Sequence, residues 1–127
     1  MALWIWVALG SALGGVSRYA VAKIWPSVPG GWPVATMSVN VIGSFAIGAL
    51  SVWLTSRGAT EGAPATSDAL RVFWMTGVLG GFTTFSAFAL ETVGLAAEGS
   101  PWRAAAYVVS TVLLSLAAAW AGRTLVA

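Results

Sequence analysis

The 127-residue chain contains no cysteine and no histidine, which excludes disulfides, thiol chemistry and imidazole-based metal or proton-transfer sites. Charge is nearly as scarce. Six basic and four acidic residues make up 8% of the chain, against roughly 25% in an average soluble domain. The acids are Glu61, Asp68, Glu91 and Glu98. They give general acid–base or metal-dependent catalysis almost nothing to work with, and no nucleophile–base pair accompanies them, so an enzyme is disfavoured. The net charge of +2 is spread along the chain without a basic patch, which argues against nucleic acid as a partner.

Hydrophobic residues account for 58% of the sequence. A soluble fold of this size cannot cover its surface with so few charges, so lipid is expected to face most of the exterior. A membrane-spanning helix needs about 20 mostly apolar residues, and four stretches qualify, at 3–24, 33–56, 70–97 and 102–126. The first has no Lys or Arg before Arg18, unlike a signal peptide with its basic leading region, and is read as a retained helix. The expected fold is therefore an all-α integral membrane protein, one domain over residues 1–127.

Between the spans, Trp25 to Pro33 reads as a turn, with Pro33 suited to the first turn of the second helix. Ser56 to Asp68 reads as a polar loop, and Glu98-Gly99-Ser100-Pro101 as a short hairpin. Most of the eight tryptophans fall near span ends, as in an interfacial aromatic belt. Four spans put Arg57, Arg71 and Arg123 on one side, and Arg18, Lys23 and Arg103 on the other. The positive-inside rule gives no strong orientation for such a balance. Either a weak bias is set by other factors, or the chain inserts both ways and pairs antiparallel with itself.

Small and polar residues recur four apart, and so on one helix face: Gly10, Gly14 and Arg18; Thr36, Asn40, Ser44 and Gly48; Tyr107, Thr111 and Ser115. The glycines read as close-packing edges. For Asn40 and the hydroxyl ladder, helix packing and an ion pathway both remain open. The third span is unusual. Gly77 to Phe88 places glycines and hydroxyls near the expected midplane, and each Gly weakens a helix by about 1 kcal/mol relative to Ala. A broken helix is expected there, of the kind that coordinates ions in membranes. Phe85 and Phe88, three apart, either face lipid or present their positive ring edges to a small anion. Glu91 is either interfacial or the partner of a buried cation. Arg18 costs about 2.5–3.5 kcal/mol within hydrocarbon, so it either snorkels or meets polar partners at a vestibule.

Three segments resemble motifs of the bacterial fluoride channel family (Fluc/CrcB). Gly10-Ser11-Ala12-Leu13-Gly14-Gly15-Val16-Ser17-Arg18-Tyr19 is similar to its Gly-rich first-helix motif ending in Arg-Tyr. Ala35-Thr36-Met37-Ser38-Val39-Asn40-Val41-Ile42-Gly43 is similar to its second-helix pattern. Gly80 to Phe88 resembles its Gly-Gly-x-Thr-Thr-Phe-Ser-Thr-Phe signature. Two departures are Ala35 for a Gly and Ala87 for a Thr, the second leaving anion coordination near the phenylalanines in question.

The resemblance implies an antiparallel, dual-topology homodimer in the bacterial inner membrane that conducts fluoride passively out of the cytoplasm. Asn40, Phe85 and Phe88 match pore-lining positions. Thr36, Glu91, Tyr107, Thr111 and Ser115 match a polar track, and Arg18 a vestibule residue. The backbone carbonyls of Gly80 and Thr83 match those that hold a structural sodium ion at the dimer axis. Two alternatives are a proton-coupled antiporter of the small multidrug-resistance type, which needs an acidic residue absent from residues 3–24, and a non-transporting subunit of a larger complex.

Overall fold

The structure is a computed structural model and describes residues 2–58 and 66–127. Helix α1 spans Leu3–Ile24 and α2 spans Val34–Gly58. The third span is composite: α3, Thr66–Arg71; a π-helical segment, Val72–Leu79; a short α4, Gly80–Phe82; and α5, Phe85–Ala97. Helix α6 runs from Pro101 to Val126. Among the described residues four helical spans are long and apolar enough to cross a membrane, as the sequence led us to expect. Residues 59–65 of the expected loop, Glu61 among them, lie outside the described residues. On either side the helices run further into that loop than composition suggested, to Gly58 and from Thr66.

Glycines set the packing. Helix α1 lies against the first half of the third span, and α2 lies against α6. A Cβ on Gly14 would run into the Val78 carbonyl and lie 2.8 Å from the Phe82 amide nitrogen. One on Gly81 would lie 2.6 Å from the Ser11 carbonyl oxygen. At the other seam, Gly48 abuts the Ala119 carbonyl and Gly122 abuts that of Phe45. These contacts are backbone against backbone, the close approach that small residues permit in membranes. The reading of the glycines as packing edges therefore holds.

The break is narrower than the sequence suggested. Gly77, Gly80 and Gly81 remain helical, and only Thr83 (φ −81°, ψ 159°) and Thr84 (φ −152°, ψ 119°) are extended. The interlock with α1 seats Gly77 and Gly81, while the β-branched threonines that follow favour extended backbone. At this point the third span changes neighbours: α4 packs on α1, and α5 packs on α6.

Trp4, Trp25, Trp53, Trp74, Trp102 and Trp120 are exposed. Trp6 and Trp32 instead turn inward, edge-on to Phe73 and Tyr107. The hairpin into α6 turns at Gly99 (φ 79°), with Pro101 opening the helix.

The seams predict a sharp contrast between adjacent positions. Gly14→Ala and Gly122→Ala should each cost about 1–3 kcal/mol by overpacking, lowering the thermal midpoint in detergent. Gly15→Ala, whose Cβ meets nothing within 4 Å, should leave that midpoint unchanged or higher.

Candidate functional site

The extended pair at Thr83–Thr84 removes backbone partners in the middle of a span, and Asn40 on α2 supplies replacements. Its Nδ2 donates to the Thr84 carbonyl at 3.0 Å, and its Oδ1 accepts from the Thr84 amide at 2.8 Å. The Thr84 hydroxyl accepts from the Ala87 amide at 3.2 Å and so caps α5. In an unbroken helix the Thr84 amide would donate to Gly80 and the Ala87 amide to Thr83. Both amides are diverted, so the carbonyls of Gly80 and Thr83 lose their helical donors. The two carbonyls are thus oxygen donors of the type that hard cations take. Among the described residues no group of three or more acidic side chains that could hold a metal ion occurs.

A cavity of about 430 Å³ lies beside the break, lined by Asn40, Ser44, Thr83, Thr84, Phe85, Phe88, Thr111 and Ser115 together with apolar side chains. The Thr111 and Ser115 hydroxyls are buried without a hydrogen-bond partner. An unsatisfied buried hydroxyl costs about 1–3 kcal/mol, so these two groups are poised to bind something that enters. The Phe85 and Phe88 rings are 5.6 Å apart, tilted by 51°. Phe88 is buried at 8% exposure, whereas Phe85 stands 79% exposed.

On the other side of Thr84 a second cavity, about 330 Å³, is lined by Arg18, Tyr19, Thr36, Ala87 and Glu91. Arg18 shares the lining of this cavity with Thr36 and Glu91. Glu91 accepts from the Thr36 hydroxyl and from the Tyr107 hydroxyl, each at 2.7 Å. Charge-assisted bonds of this kind are about twice as strong as neutral ones, and they hold the carboxylate against α2 and α6. Ala87 lines this cavity and not the one beside the rings.

The sequence-derived residues therefore fall into two groups. Asn40, Phe85, Phe88, Thr111 and Ser115 meet at the first cavity; Arg18, Thr36 and Glu91 meet at the second, with Tyr107 bonded to Glu91. The hydroxyl ladder divides accordingly, because Tyr107 is engaged while Thr111 and Ser115 are not. Ser44 and Thr84 were not singled out as site residues. Ser44 sits one turn beyond Asn40, and Thr84 has the N-cap preference of its residue type.

A family profile described as CrcB-like protein, Camphor Resistance (CrcB), matches residues 5–123. The chain belongs to the CrcB-like family. Relatives in this family include a protein of Paracoccus denitrificans named fluoride-specific ion channel FluC, 47% identical over 118 residues, which cover 93% of this chain and 89% of the relative. Proteins of the same name occur in Caulobacter vibrioides, 45% identical over 91% of this chain and 88% of the relative, and in Deinococcus radiodurans, 46% identical over 97% and 94%. The family is one of ion channels, not enzymes, and this CrcB-like chain is a multi-pass membrane protein.

The Asn40 clasp yields a stability prediction separate from transport. Asn40→Ala leaves the Thr84 N–H and C=O without these partners, at about 1–3 kcal/mol each. The variant should melt earlier than Asn40-containing protein and exchange the Thr84 amide proton faster in hydrogen–deuterium mass spectrometry.

Proposed function

We propose that the chain is a passive, fluoride-selective channel of the bacterial inner membrane. The observation that carries this reading is the cavity at the break, where two buried, unpartnered hydroxyls share the walls with Asn40 and two phenyl rings. A small anion sheds water only if donors replace it, and pore width, donor lining and electrostatics are the means of choosing between anions. Thr111, Ser115 and the Asn40 amide are such donors, and phenyl edges add a weak positive rim that does not hold the ion hard. The first turn of α5 begins at the same wall, where a helix N-terminus favours negative charge. The relatives named fluoride-specific ion channel support the choice of anion.

Passive conduction suffices for detoxification. Hydrogen fluoride crosses membranes as a neutral weak acid and dissociates inside; the anion then leaves down its gradient. The antiporter alternative lacks its acidic residue, since α1 contains none.

The working unit is an antiparallel, dual-topology homodimer. Two features support this. Basic residues balance across the two sides, and the broken backbone next to exposed Phe85 and Gly80 cannot face lipid without cost. A second copy would cover that face. A sodium ion held by the Gly80 and Thr83 carbonyls would neutralise the diverted oxygens and brace the paired breaks.

Purified protein in liposomes should release fluoride and retain chloride, followed with ion-selective electrodes; chloride release at a comparable rate would remove the selectivity. Phe85→Ile and the pair Thr111→Val with Ser115→Ala should each slow fluoride efflux by about tenfold or more, equivalent to at least one lost donor or ring contact in the barrier. Dimer assembly, read by crosslinking, should be unaltered.

A further inference from the structure

The loop between α1 and α2 is exposed over residues 25–29, but its end, Gly30 to Pro33, is half-buried or buried and lies against the third and fourth spans. It turns at Gly30 (φ 65°), the Gly31 amide donates to the Val28 carbonyl at 2.8 Å, and the Val34 amide donates to that of Trp32 at 2.8 Å. These bonds aim the Trp32 side chain inward. Its ring meets that of Tyr107 edge-on, with centroids 5.8 Å apart and planes at 86°. Tyr107 continues to Phe88 at 5.2 Å, and Phe88 to Phe85 at 5.6 Å. One row of rings therefore leads from the loop to the break, and Trp32 is its outer end.

Tyr107 has no exposed surface, and Trp32 packs on the cluster of Phe88, Leu95, Ala104 and Tyr107. Trp32 also shares the lining of a third cavity, about 250 Å³, with Glu91 and Glu98. This indole thus stands between that loop-side space and the tyrosine whose hydroxyl holds Glu91. An interfacial anchor would point its ring outward, as Trp25 does at 50% exposure.

We propose that Trp32 is a positioning residue for conduction: it seals Tyr107 from the loop-side cavity and fixes the tyrosine hydroxyl on Glu91. The inference rests on the channel reading. A carboxylate beside an anion route repels the ion, and the tether to Thr36 and Tyr107 keeps that charge against the helices. Without the indole, water reaches Tyr107, its ring gains freedom, and the carboxylate is held by Thr36 alone.

The chain has two tyrosines, so nitration by a water-soluble reagent, read by peptide mass, reports on the seal. In proteoliposomes, Trp32→Ala should become nitrated at Tyr107 and lose fluoride efflux by about fivefold or more, the scale of a lost aromatic contact. Trp32→Phe should keep Tyr107 protected and stay within about twofold of wild type, since a phenyl edge can replace the indole edge. Trp32→Leu is the second variant should alanine fail to assemble, with the same two changes expected. Tyr107 left unmodified, or efflux unchanged, in the alanine variant or its leucine substitute overturns the role of Trp32. Absence of fluoride efflux from the wild-type protein would refute the channel reading itself, and is seen before any variant is compared.

Discussion

Hydrocarbon offers no hydrogen bonds, so backbone released from a helix inside a membrane must find partners within the protein. Two extended residues, Thr83 and Thr84, impose that demand, and the Asn40 amide meets it by pairing with both the N–H and the C=O of Thr84. The other features of the site follow from this clasp. It diverts the amide that would have closed on Gly80 and starts α5 on a new axis beside the larger cavity. It also draws α2 to the break, where a Cβ on Gly43 would collide with the Thr83 methyl group.

The same clasp separates two chemical environments along α5. On one side lie unpartnered hydroxyls and phenyl rings; on the other a carboxylate is already satisfied by two hydroxyl donors. Idle donors and an engaged acceptor suit an anion. On the channel reading proposed above, the two idle hydroxyls are spare hydrogen-bond capacity for a negative guest, and the carboxylate is occupied elsewhere.

Much of this was legible in the residues. Four apolar runs fixed the spans, helical spacing brought Thr36 and Asn40 to one edge, and the glycine edges on α1 and α2 became the seams. The break was foreseen but assigned too widely, because helix propensity counts glycine as a breaker regardless of what lies against it. Here, Gly77 and Gly81 are seated on the α1 backbone and stay helical. The pairing of Glu91 with Tyr107 was not legible. It joins α5 to α6 across a hairpin, and spacing within one helix says nothing about which residues meet across two. Trp32 escaped for a similar reason: a tryptophan beside a span end reads as a lipid-interface residue until the loop's own hydrogen bonds are known.

The exchange of neighbours by the third span divides the chain mechanically. One pair is α1 with residues 72–82, locked by glycines whose backbones touch; the other is α2 with α6, locked in the same way. Where glycine backbones touch there are no rotamers to adjust, so each pair is closely fitted and in that sense a plate. The two-residue stitch is the join between the plates, and the Asn40 side chain that lines the cavity is also the rivet that fastens it.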